Sequence, residues 1–307
     1  VLIGSVLNVG TVSANHIIRS EGLAKISMIS MIMGAIINIL LDPIFIYTLD
    51  FGIKGAAWAT VIAQFCSLAF IMLYFQFGKA QVEIAFKHFK PTKAIYYEVL
   101  KIGIPVLFYH LLQNVSMGII NNQASLYGDY AVAAIGIVTR ILPLLSYVVF
   151  GFSKGYQPIA GYCYGSKMYD RLNKATNFTL KVLTGYCILS AGIVLIFGYP
   201  LLGLFSQSPT VLVIAYKALV LWLITYIFLG YQMTYITLFM SIGKARESAL
   251  LGLCRQGLCL IPLLLILPHF FHLNGILFAQ ATADICALTL TIYFKRKSYI
   301  KGHLGVI

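Results

Sequence analysis

Apolar stretches of about 20 residues or more recur along this whole sequence, and no other feature restricts its fold so severely. A chain that crosses lipid must satisfy its own backbone, so only helices and closed barrels are available to it. The stretches are too long and too evenly apolar for barrel strands, which alternate over about 10 residues. One partial span is expected at 1–18. Eight whole ones follow at 26–47, 54–76, 99–126, 130–163, 175–204, 211–241, 247–269 and 275–295. Several exceed the length a bilayer needs, so tilt or extension into water is expected. Composition agrees: 60% of the 307 residues are hydrophobic and 10% are charged, where soluble domains carry roughly 25% charged residues. The expected class is an all-α integral membrane protein.

The net charge of +13 raises the question of a nucleic-acid partner, which the placement of the charge answers. One set of connections carries Arg19, Lys25, Lys79, Lys87, Lys90, Lys93, Lys101, Lys167, Arg171, Lys174, Lys181, Lys244, Arg246, Lys295, Arg296, Lys297 and Lys301. The alternate set, 48–54, 127–130, 205–217 and 268–274, carries only Lys54 and Lys217. Such asymmetry puts the basic side, with the C-terminus, in the cytoplasm. The basic excess then calls for no nucleic acid, and no obligatory protein partner is inferred. The six cysteines, at 66, 163, 187, 254, 259 and 286, lack metal-binding spacing and read as small core residues. The chain opens on Val1 within an apolar run, with no secretory leader; it reads as beginning inside a larger protein.

Residues 78–98 form the longest polar connection, basic with interspersed aromatics, and are expected to lie on the cytoplasmic leaflet between two bundles. An internal repeat supports that boundary. Ser20, Gly22, Ala24 and Ser27 match Ser241, Gly243, Ala245 and Ser248 at an offset of 221. Gly55, Ala59 and Ala63 match Gly275, Ala279 and Ala283 at an offset of 220. The same helical unit thus stands at both ends of the chain, in one orientation, as in transporters built from parallel repeats. By this symmetry about three helices are missing from the front. Residues 1–77 are the end of a first lobe, 99–296 a complete second lobe, and 297–307 a cytoplasmic tail.

Asp42 and Pro43 interrupt the run INILLDPIFIY at 37–47. Asn38, four residues earlier, shares a helix face with Asp42. Counting outward from the turn near residue 51, Asp42 and Thr60 lie at similar depth, roughly 13 Å inside the outer end. A carboxylate, an amide and a hydroxyl can then converge, hard oxygen ligands that suit sodium or a protonatable carboxyl. Pro43 also frees a carbonyl near residue 39. The alternative is that Asn38 and Asp42 only bond neighbouring helices. Intramembrane ionisable residues are functional-site candidates by default.

NHIIRSEGLAK, NILLDPIFIY and FGIKGAAWATVIAQ resemble the fifth and sixth helices of a multidrug and toxic compound extrusion (MATE) transporter. LKIGIPVLFYHLLQN, YGDYAVAAIGIVTRI and GYQPIAGYCYGSK resemble its seventh and eighth helices, and SIGKARESALLGLCRQ the start of its eleventh. Within the family the chain looks closest to the bacterial drug-efflux branch. The resemblance implies a twelve-helix bundle of two pseudo-symmetric lobes, here without its first three helices. It implies an antiporter of the cell membrane that exports cationic or amphipathic compounds in exchange for Na+ or H+, with no other cofactor. Asn38, Asp42 and Thr60 match the family's ion site in the first lobe, with Asn15, or else Asn8, as its fourth-helix member. The site's other carboxylate belongs to the absent first helix.

In the second lobe this chain departs from family members that carry acids on the seventh and tenth helices. It has Gln113, Asn114, Asn121 and Asn122 on the seventh, and Tyr226, Tyr231, Gln232 and Tyr235 on the tenth. That favours coupling through the first lobe and leaves these residues to line a substrate path, aromatic faces attracting organic cations, or to bond helices. Asp284 occupies the repeat position of Gln64 and is expected to pair with Arg255 or Lys154, for structure or for transport. Arg140 pairs with an acid, caps a carbonyl or lies on the path. No catalytic constellation and no phosphate-binding loop is present, so neither an enzyme nor an ATP-driven pump is expected. Two other readings stay open: a flippase for lipid-linked sugars, using Arg140, Lys154 and Arg255, and a fragment that does not transport.

Overall fold

The computed structural model describes residues 2–78 and 92–300. The chain divides into two compact units, Val1–Pro91 and Thr92–Ile307. Most of the polar connection expected at 78–98, and the tail beyond 300, lie outside the described residues.

The first unit contains α1 (Leu2–Ser20), α2 (Ala24–Pro43), a π-helical turn (Ile44–Thr48) and α3 (Gly52–Phe77). Its core is small: Ala14 and Ile18 of α1 meet Ile71 and Phe75 of α3. A buried pair of hydroxyls joins α2 to α3, with Ser30 Oγ and Ser67 Oγ 2.7 Å apart. Small hydroxylated residues let helices approach and bond within lipid. The opposite face of α2 exposes Ile29, Ile32, Ile36 and Leu40.

The second unit contains α4 (Lys93–Ser125), α5 (Asp129–Gly165), α6 (Tyr169–Gly203), α7 (Pro209–Tyr226) and α8 (Leu229–Ser241). It continues with α9 (Ala245–Leu253), a second π-helical turn (Cys254–Leu258) and α10 (Leu260–Ile300). Val138 of α5, Leu183 of α6, Leu219 and Leu223 of α7, and Leu264 and Ile276 of α10 are all buried in its main core. Trp222 fixes α7 to α10 by donating Nε1–H to the Leu277 carbonyl at 3.1 Å.

Two spans differ from the sequence reading. The stretch 211–241, expected as one helix, breaks between Tyr226 and Leu229. The reason lies just beyond the break. A Cβ on Gly230 would stand 2.7 Å from the Leu183 carbonyl carbon, so the α8 backbone presses directly on α6. The expected spans 247–269 and 275–295 join in one apolar segment of 53 residues, Ala245–Lys297. It turns at His272, whose φ of 50° and ψ of −133° are not helical. The described residues hold 7 segments long and apolar enough to cross a membrane. Counting both arms of the last recovers the eight whole spans.

The internal repeat is visible in the backbone. Gly22 (φ 83°) and Gly243 (φ 79°) end α1 and α8 in the left-handed region. Each is the pivot of a Schellman closure: Leu23 N–H donates to the Ile18 carbonyl at 3.2 Å, and Lys244 N–H to the Phe239 carbonyl at 2.9 Å. The reversals are matched too, at Asp50 (φ 52°) and His272 (φ 50°). Just past them, a Cβ on Gly55 would collide with the Phe45 carbonyl, and one on Gly275 with the Leu267 carbonyl. Three paired features at nearly constant offset mark one hairpin built twice.

Gly55→Ala and Gly275→Ala should each destabilise the protein by about 1–3 kcal/mol, the usual range for overpacking a tight contact. Melting in detergent checks this, with Gly103→Ala, where a Cβ meets open space, as the control.

Candidate functional site

Asp42 stands on the last turn of α2, where Pro43 removes one helical donor. The chain responds by widening into the π-helical turn, closed by Leu49 N–H on the Ile44 carbonyl at 2.9 Å. Such turns mark functional sites more often than chance would place them. Asn38 Nδ2 donates to Asp42 Oδ1 at 3.3 Å and reaches Thr60 Oγ1 of α3 at 3.5 Å. Thr60 gives its own proton to the Ala56 carbonyl at 2.9 Å, so its oxygen faces the cluster as an acceptor. The hairpin count put Asp42 level with Thr60; in the structure it is Asn38 that reaches Thr60, and Asn38 links it to Asp42. Among the described residues Asp42 has no cationic partner. Nor does any group of three His, Cys, Asp or Glu side chains gather into a metal centre. One carboxylate with an amide and a hydroxyl suits a monovalent ion or a proton.

Asn15 does not belong to this cluster. Its Oδ1 accepts from Ser27 Oγ at 2.7 Å and its Nδ2 donates to the Thr11 carbonyl at 2.8 Å. Ser27 lies on the first turn of α2, roughly 16 Å along the helix from Asn38. The cause is antiparallel packing, which sets the end of α1 beside the start of α2. Asn8 is nearer in level, since Gly4 faces Val61 and Gln64 while Gly10 faces Leu68, but its side chain is exposed.

The second unit gathers fewer of the expected residues. Gln113, Asn114, Asn121 and Asn122 are exposed on α4, and Asn114 Nδ2 returns to its own helix at the His110 carbonyl. A groove of about 350 Å³ between α4 and α10 is lined by Asn122 and Gln123 with Val115, Ile119 and Leu265. Arg140 is exposed on α5. The Tyr231 and Tyr235 rings meet tilted at 48° with centroids 4.8 Å apart, and the Lys295 ammonium lies over both rings at 5.6 and 5.2 Å.

Gln232 and Asp284 do come together, in a network the sequence showed only in part. Asp284 Oδ1 accepts from Arg255 Nε at 2.8 Å and from Gln280 Nε2 at 3.3 Å. Its Oδ2 accepts from Thr225 Oγ1 at 3.0 Å, and its main-chain oxygen from Gln232 Nε2 at 2.8 Å. The open pairing of Asp284 is thus resolved in favour of Arg255. The pair is buried, with side-chain exposures of 14% and 6%. Removing one member of such a pair costs about 3–5 kcal/mol. Arg255 itself sits in the second π-helical turn.

Against known proteins, the family model MatE matches residues 105–266. The chain belongs to the MATE family. The multidrug export protein MepA of Staphylococcus haemolyticus is 31% identical over 88% of this chain and 59% of its own length. That of Staphylococcus saprophyticus is 28% identical over 91% and 62%. An outward-facing multidrug resistance MATE family transporter of the MOP superfamily matches with a TM-score of 0.89 at 25% identity, over 99% of this chain and 69% of that one. This MATE chain therefore spans 59–62% of the length of those two curated relatives. It is a multi-pass membrane protein, and its relatives are named as exporters rather than enzymes.

Asn15→Ala should lower stability by about 1–3 kcal/mol, because it strands the buried Ser27 hydroxyl. It should leave any sodium- or pH-dependent change in melting temperature intact, whereas Asn38→Ala should shrink that change.

Proposed function

We propose that this MATE protein exports cationic or amphipathic compounds across the cell membrane by alternating access, with Na+ or H+ as the exchanged ion at Asp42. The C-terminus faces the cytoplasm in this reading, as the distribution of basic residues favours. The observation that carries it is the Asp42 cluster: a carboxylate flanked by Asn38 and Thr60, half-buried, with no cationic partner among the described residues. The names of the MepA relatives support the export of many drugs.

A carboxylate in this position supports a coupling principle. A charged carboxylate at membrane depth costs about 2.5–3.5 kcal/mol. Binding a proton or a sodium ion relieves it. A relief of about 3 kcal/mol shifts an equilibrium roughly a hundredfold, enough to bias two conformations of a lobe when only one of them buries the acid. Substrate need not touch Asp42; coupling requires only that ion and substrate favour different states. The flippase reading loses support, because the guanidinium of Arg255, one of its three cations, is committed to Asp284.

In the full-length protein, Asp42→Asn should express normally yet lose efflux of a cationic dye driven by a sodium or pH gradient. Running the two gradients separately identifies the ion. Wild-type efflux by this variant would contradict the assignment.

A further inference from the structure

The half-buried Asp42 and the buried Asp284 each accept from an amide four residues earlier with a threonine of another helix nearby; Thr225 donates to Asp284, whereas Thr60 accepts from the Asn38 amide. Asn38 stands four residues before Asp42 and donates to its Oδ1 at 3.3 Å. Gln280 stands four residues before Asp284 and donates to its Oδ1 at 3.3 Å. In each case a neighbouring helix brings a threonine hydroxyl: Thr60 Oγ1 lies 3.5 Å from the Asn38 amide, and Thr225 Oγ1 lies 3.0 Å from Asp284 Oδ2. The likeness does not come from the repeat, in which Asp284 corresponds to Gln64; it is one of chemistry. The difference is a single group. The second site holds the Arg255 guanidinium at 2.8 Å, and the first has no cation from the protein among the described residues.

A carboxylate, a carboxamide and a hydroxyl around a small positive charge describe a monovalent cation site. In the second unit that charge is covalently attached. We propose that Arg255 is a tethered cation that permanently fills the Asp284 site, so that the second unit takes up no exchangeable cation there. This rests on reading the Asp42 cluster as an exchangeable ion site, and it confines exchange to the first unit. The second π-helical turn has a role in this arrangement. Arg255 lies within it, and the widened turn sets the direction in which the side chain leaves the helix. Asp284 is 5% exposed, so the guanidinium reaches it as a neighbour in the core rather than across water.

The test is to remove the tether and offer the cation in solution. Arg255→Ala is prepared with Asp42→Asn in the same chain, so that the first site is silent. Melting temperatures are read in detergent at constant ionic strength with guanidinium, sodium or choline. The expected result is that the variant gains several degrees in millimolar guanidinium and a smaller amount in sodium, relative to choline, as ligand linkage requires. A chain carrying Asp42→Asn alone should gain nothing, and adding Asp284→Asn to the Arg255→Ala chain should abolish the gain. If the Arg255→Ala protein aggregates in choline, its recovery as monodisperse protein in guanidinium is the same readout. The proposal is overturned if the variant melts identically in all three cations. It is equally overturned if the variant aggregates in all three while Arg255→Gln with Asp284→Asn folds, or if the chain with both residues intact gains as much as the variant. Failure of Asp42→Asn to impair efflux would overturn the first-unit assignment without touching these outcomes.

Discussion

A carboxylate inside a lipid-spanning bundle has to be neutralised or hydrogen-bonded by the protein itself, because no water stands ready to do it. The half-buried Asp42 and the buried Asp284 of this MATE protein meet that demand in different ways. Asp284 receives an arginine, a threonine and a glutamine on its carboxylate, and a second glutamine on its backbone oxygen. Asp42 receives one amide. The first arrangement is satisfied by the protein's own donors. The second is left with lone pairs and a charge, which a small cation or a proton would complete. In the proposed reading, the difference between a structural charge and a functional one rests on the presence or absence of a guanidinium.

The backbone is shaped by the same demand. Each helical hairpin of the repeat reverses at a residue with positive φ, Asp50 or His272, and then brings a glycine against a carbonyl of the preceding helix. Only a residue without Cβ permits that contact. The two π-helical turns do not occupy matching positions of the repeat. One follows Pro43 beside Asp42, and the other contains Arg255. A widened turn changes which side chains face inward over a single helical turn and leaves the rest of the bundle alone. Both of these turns carry or adjoin a charged residue within an apolar helix, so the local distortion and the buried charge belong together.

Much of this was legible in the sequence. Hydropathy alone located the spans, since a segment crossing lipid has no other composition available to it. The repeated glycines marked one helical unit standing twice, and the structure supplies the reason at Gly55 and Gly275, where a close backbone approach leaves no room for a Cβ. Level counting from the turn brought Thr60 near Asn38 and Asp42, since depth along a straight helix is linear in residue number, although Asn38 rather than Asp42 is the residue that reaches it. Asn15 escaped the same logic: it was assigned from family likeness, and its position near the end of α1 sets it beside Ser27 instead. The break at 227–228 was invisible because no proline marks it; its cause is Gly230 pressing on a helix remote in sequence. Thr225 and Gln280 went unnoticed for a similar reason. The spacing of Gln280 and Asp284 repeats that of Asn38 and Asp42, a signal that was available, but Thr225 joins only through packing of α7 against α10.

The account stands on Asp42 being the carboxylate that changes state while Asp284 does not. Infrared difference spectroscopy of the protein in lipid, recorded while sodium or pH is varied, observes carboxyl groups directly. A single carboxyl response is predicted, absent from Asp42→Asn and retained when Arg255→Gln and Asp284→Asn are combined. A response that survives Asp42→Asn, or that vanishes with the Asp284 pair, would contradict it.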